Sequence, residues 1–70
     1  MGEYFECEVK RNNEDETFVA TVSLRLLPRI GEHIKIATDQ NVYSFKVTDI
    51  WHFVAGSQGG HIVQIYVDWA

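Results

Sequence analysis

Seventy residues with a formal charge of −4 and a single cysteine make one small domain (residues 1–70) with no possible internal disulfide. A chain this short buries only about 60% of the surface its unfolded form exposes, so stability has to come from an apolar content of 46% and nine aromatic residues, two of them tryptophans. The six basic residues include one adjacent pair, Lys10-Arg11, too sparse a set for the clustered phosphate contacts that nucleic-acid binding needs.

The lone thiol points to a reducing compartment. The N-terminus carries no basic segment followed by an apolar run, so no signal peptide is expected. No apolar stretch approaches the roughly 20 residues of a membrane span. The expectation is a soluble cytoplasmic protein with no membrane association. The negative charge is unevenly placed. Residues 1–16 hold Glu3, Glu6, Glu8, Glu14, Asp15 and Glu16 against Lys10 and Arg11, while residues 17–70 hold four acids and four bases.

Residues 3–10 alternate, with Phe5, Cys7 and Val9 on one face and Glu6, Glu8 and Lys10 on the other. Period two over this length predicts a half-buried strand. Cys7 reads as a small core residue, because the flanking Glu6 and Glu8 disfavour a reactive thiolate. The polar run 11–16 predicts a turn in which Asn12 and Asn13 can take left-handed backbone angles. Its three consecutive acids read as a solvated loop, since hard-metal loops interleave their ligands with glycine.

From Thr17 the alternation resumes. Phe18, Ala20, Val22, Leu24 and Leu26 share one face, and Thr17, Val19, Thr21, Ser23 and Arg25 the other. Thr, Val and Phe favour a strand over 17–26. Pro28 then stops pairing or sits on an edge, and Gly31 permits a bend. A third strand follows over 32–37, with Ile30, Ile34 and Ile36 on one face. The turn at 38–41 places Asn41 where a positive φ is favoured.

The fourth strand, 42–53, breaks its own pattern. Tyr43, Phe45 and Val47 share a face, but Asp49 falls where the next core residue belongs. A bulge at Thr48-Asp49 restores the core face at Ile50, carries His52 and Val54 inward and turns Trp51 and Phe53 outward. The glycine-rich stretch 55–60 lacks the Lys-Ser/Thr and the following helix of a phosphate loop, so it reads as a hairpin connection. In the last strand, 61–69, His61, Val63, Ile65, Val67 and Trp69 alternate with Ile62, Gln64, Tyr66 and Asp68; two apolar faces suit a central or closing strand. Five strands joined by short connections predict an all-β fold, a five-stranded antiparallel meander curled into a small barrel. Phe5, Phe18, Val22, Leu24, Ile34, Ile36, Phe45, Val47, Ile50, Val63, Ile65 and Val67 are the expected core.

The run Leu27-Pro28-x-x-Gly31-Glu32-x-Ile34, the strand Tyr43-x-Phe45-x-Val47-x-x-Ile50-x-His52 and the closing alternating strand resemble a group of short bacterial and phage proteins with a small SH3-like barrel. The resemblance covers roughly residues 18–68. It implies a fold, carries over no catalytic residue, and most such proteins have no assigned activity.

His33, His52 and His61 are the only imidazoles, and a zinc site needs three or four ligands. His33 lies on a polar face, and His52 reads as a hydrogen-bonded core histidine. Ser57 lacks the setting of a nucleophile, no carboxylate pair is placed for acid–base work, and so small a chain has little room for a deep pocket. No enzyme, cofactor or metal is expected. The first functional reading is a protein-binding module, with Trp51, Phe53, Ile62 and Tyr66 forming an outer apolar strip for another protein or a second copy of the chain. The alternatives are an acidic inhibitor or mimic of the kind phages use, presenting the acids of residues 3–16, and a single-stranded nucleic-acid-binding barrel using surface aromatics; the acidic balance disfavours the last.

Overall fold

The computed structural model describes residues 4–57 and 59–70. Glu3, in the first expected strand, and Gln58, in the glycine-rich connection, lie outside the described residues. Among those described, the chain forms five strands and no helix: β1 (Phe5–Arg11), β2 (Phe18–Leu24), β3 (His33–Ala37), β4 (Val42–Val54) and β5 (His61–Trp69). They make one sheet in the order β2-β1-β5-β4-β3, curled into a half-barrel.

Two corrections to the expected meander follow from this order. The sheet is mixed rather than purely antiparallel, because β1 pairs with β5 in parallel, from Cys7↔Val63 to Arg11↔Val67. The barrel is also not closed: β2 and β3 do not pair. Strands that reverse direction at each connection cannot form a ring of odd number without one parallel contact. Here that contact is the β1–β5 pair, and the sheet nevertheless stays open at the Pro28 corner. The open sheet keeps two edges, β2 and β3, and places β5 at its centre.

The corner itself is built as its residues dictate. Glu32 N–H donates to Arg29 C=O at 3.0 Å, closing a turn whose third residue, Gly31, has φ +96°; that position needs the freedom glycine has. Gly31 N–H then donates to Val47 C=O, and Val47 N–H to Glu32 C=O, both at 2.8 Å. The corner is thus fastened to β4 rather than to β2. Ile30 lies in this turn and is exposed instead of continuing the face of Ile34 and Ile36.

The buried core is Cys7, Val9, Phe45, Val47, Val63, Ile65 and Val67, all from the three central strands. Each such side chain contributes about 1.5–3 kcal/mol by leaving water, and less for cysteine. Val22, Leu24, Ile34, Ile36 and Ile50 are half-buried against it, as befits edge strands of a half-barrel and the start of a projecting hairpin. Two expected core residues are exposed. Phe5 lies at the sheet's rim, two residues before the β1–β5 pairing begins at Cys7, and is 38% exposed. Phe18 is 57% exposed because β2 carries its own bulge. Val9 pairs with Ala20 but Lys10 with Phe18, leaving Val19 as the extra residue. Val19 packs against the core, and Phe18 is left exposed at its margin. Leu26, beyond the end of β2, is exposed as well.

The connections also differ from expectation. Asn41 has no positive φ; among the described non-glycine residues only Glu16 does, at 47°. Thr38 holds the 38–41 turn instead, with its N–H donating to Asn41 C=O at 2.7 Å and its hydroxyl accepting from Asn41 N–H at 3.2 Å. Asn13 organises the β1–β2 loop from its side chain: Oδ1 accepts from Thr17 N–H and Nδ2 donates to Thr17 Oγ1, each at 3.1 Å.

Candidate protein-binding surface

The fourth strand contains the irregularity its spacing demands. Val47 pairs with Val67 and Asp49 with Tyr66, so Thr48 is the unpaired extra residue. Its hydroxyl is held in place, donating to Tyr66 C=O at 3.2 Å and accepting from Asn12 Nδ2 at 2.9 Å. Beyond it the ladder is regular: Ile50↔Ile65, Trp51↔Gln64, His52↔Val63, Phe53↔Ile62. Directly opposed residues share a face. Ile65 and Val63 are buried, so Ile50 and His52 lie on the inner face, and Trp51, Phe53, Gln64 and Ile62 on the outer.

Trp51 and Phe53 are 59% and 60% exposed, and Ile62 is 38% exposed. Phe53 and Ile62 are cross-strand partners, and Trp51 stands two residues from Phe53 along β4. The three make one apolar strip at the end of the β4–β5 hairpin. That hairpin projects beyond the sheet: β1 reaches only to Val63 on β5, and beyond Val47, where the bonds to Gly31 and Glu32 end, β4 pairs only with β5.

Tyr66, the fourth residue of the expected strip, is half-buried and differently occupied. Its hydroxyl donates to Glu16 Oε1 at 2.7 Å. Asp49, opposite Tyr66, accepts from the Trp51 indole N–H at 2.9 Å through Oδ2 and from Ile50 N–H at 3.0 Å through Oδ1. Asp49 therefore both shapes the bulge and fixes the Trp51 indole against the sheet. A shallow polar hollow of about 320 Å³ lies between Trp51, Tyr66, Asp49 and the Asn12–Asn13 turn. The surface thus has an apolar end at Phe53 and Ile62 and a polar end at Tyr66 and Glu16.

The bond to the Glu16 carboxylate, followed by partial burial and the nearby charges of Glu16, Asp49 and Glu8, pushes the Tyr66 phenol above its ordinary value. A raised pKa favours the neutral phenol in the folded chain. Its stabilising contribution is present below about 10, the unfolded value, and is lost as pH rises through the folded value. Glu16→Asn removes the carboxylate while tolerating the left-handed backbone. It is expected to lower the Tyr66 titration midpoint toward about 10, read by phenolate absorbance; an unchanged midpoint would show that Glu16 does not hold Tyr66.

His52 is on the inner face but exposed, because the hairpin end has no opposite wall. Its Nδ1 lies 2.9 Å from His61 Nε2, and the two rings stack with centroids 5.1 Å apart. It is hydrogen-bonded, but it is not the core histidine expected: its partner is a second histidine at the exposed rim. Cys7 is buried and free, its thiol donates to Phe5 C=O at 3.3 Å, and burial, then Glu6, push its pKa up. His33 is exposed on β3. Among the described residues, no group of three or more His, Cys, Asp or Glu side chains is placed to hold a metal ion, and no helix is long and apolar enough to cross a membrane.

Three participants of this surface went unmarked in the sequence: Asp49 as the anchor of the indole, Glu16 as the partner of Tyr66, and His61 as the partner of His52. Asp49 had a signal, its place in a core register. Glu16 is 50 residues from Tyr66 and had none. No family model, curated protein or solved structure matches this chain.

Proposed function

We propose that the chain is a non-catalytic protein-binding module whose contact surface is the strip Trp51–Phe53–Ile62, with Tyr66 at its polar border. The observation that carries this reading is the outward placement of two aromatic side chains and an isoleucine side by side on one hairpin. Monomers rarely leave large contiguous apolar surface uncovered, and tryptophan is among the residues that most often dominate binding energy at interfaces. The indole is already oriented by Asp49, so little side-chain freedom is lost when a partner covers it. The partner is another protein, with self-association as the alternative occupant. The Leu27-Pro28 corner and the curled five-stranded sheet support reading the chain as an open relative of the SH3-like small barrels of bacterial and phage proteins. Trp51→Ala is the test: it should abolish partner binding or self-association while the chain stays folded.

A further inference from the structure

The edges β2 and β3 are each hydrogen-bonded on one side only. Paired strands bring opposed Cα atoms to about 4.5–5.5 Å, yet no Cα of β2 comes within 8 Å of a Cα of β3. Neighbouring strands lie about 4.7–4.9 Å apart. The two edges are therefore too far apart to pair directly, and each keeps a free row of backbone donors and acceptors. The two edges run in opposite directions, so a strand between them would be antiparallel to one and parallel to the other. The sheet already holds one parallel pair.

The opening between these edges is lined mainly by apolar side chains. Near the corner a depression of about 760 Å³ is walled by Leu24, Leu27, Pro28 and Ile34. Midway, about 210 Å³ lies above Val9, between Val22 and Leu24 on one side and Ile34 and Ile36 on the other. Leu24 and Ile34 line both, so the two adjoin. At the far end, a shallow depression of about 320 Å³ is bordered by Phe18, Val19, Tyr43 and Trp69. The exposure of Phe18 thus belongs to the mouth of this groove.

Each depression also holds one cation: Arg29 near the corner, Lys35 midway and Arg11 at the far end. The Arg11 guanidinium lies 5.1 Å from the Trp69 ring centroid, and its Nε is buried with no hydrogen-bond partner. Glu32 is the one acid among these lining residues, and its carboxylate already accepts from Arg29 N–H at 2.6 Å. Residues 21–37 hold three bases against one acid in a chain whose total charge is −4.

We infer that this seam receives an extended segment of a partner polypeptide in which apolar residues alternate with acidic ones. Its backbone completes the sheet between β2 and β3, its apolar side chains fill the groove over Val9, and its acids, on the outer face, answer Lys35 and Arg29. An unpaired edge recognises backbone rather than a particular side chain, so the groove supplies the pattern and the cations supply the sign. This site shares no residue with the Trp51 strip and stands whether or not that strip binds a protein.

The test is an amide-resolved titration of the isotope-labelled full chain with a synthetic peptide of alternating valine and glutamate, matched to the seven residues of β2. Amides of β2 and β3 should shift together and saturate. The same peptide N-methylated at alternate residues, and a valine–lysine counterpart, should each bind at least tenfold more weakly. Arg29→Glu and Lys35→Glu, both at exposed positions, should each weaken the valine–glutamate peptide about tenfold, and Trp51→Ala should leave it unchanged. The inference is overturned by absence of binding at millimolar peptide, by equal binding of the N-methylated peptide, or by shifts confined to one edge. Cross-strand contacts between β2 and β3 in the free chain, or dimerisation of the chain through these edges, overturn it equally.

Discussion

Phe45→Ala is expected to lose about 3–5 kcal/mol of stability, a large share of what the chain has. Phe45 is 2% exposed and sits on β4 between Ile34 of β3 and Trp69 of β5. Its ring stacks on Trp69 with centroids 4.9 Å apart and lies 6.3 Å from the ring of Tyr43. Truncating a buried phenylalanine costs about 3–5 kcal/mol, because the lost transfer energy is joined by that of a cavity. A domain of 70 residues has roughly 4–10 kcal/mol in total, with no disulfide to hold a weakened core. Urea unfolding followed by far-UV circular dichroism measures the effect. A loss below about 1 kcal/mol would mean that Phe45 is not at the centre of the core.

Trp51→Ala should behave in the opposite way. The residue is as large as any in the chain, but its indole lies outside and its one hydrogen bond is to an exposed partner arrangement at Asp49. Its removal should change stability by no more than about 1 kcal/mol. Binding should fall by about 30-fold or more, the 2 kcal/mol that marks an interface anchor. Calorimetry or ultracentrifugation of the complex, alongside urea unfolding of the free variant, reads both quantities. A tryptophan of the core would instead cost about 3–5 kcal/mol on truncation and leave association unchanged.

The contrast between these two residues of one strand was legible because Val47 and Ile50 are three residues apart. A strand with one buried face must keep a spacing of two or insert a bulge, so the spacing alone turned Trp51 and Phe53 outward. The same rule acted on β2 without being visible. There Phe18, Ala20 and Val22 already alternate, and a regular strand fitted as well as the bulged one that puts Val19 inside. Alternation also specifies which face a residue occupies, not which strand lies beside it. Five alternating segments therefore marked five strands, while the parallel β1–β5 pairing and the opening at β2 and β3 had no signature in the chain. Tyr66 was placed on the correct strand, but the acid that captures its hydroxyl comes from the distant loop at Glu16. The histidine pair likewise depends on register: His52 and His61 are diagonal neighbours only because Phe53 opposes Ile62.

The most direct measurement of the central claim is quenching of Trp51 fluorescence by a small neutral quencher in a Trp69→Phe background, where Trp51 is the sole indole. In dilute free protein the indole should be quenched readily, and the partner, or a rise in protein concentration if the chain self-associates, should protect it. An indole shielded in the dilute folded chain, with no change when a partner or a second copy is added, would contradict the account.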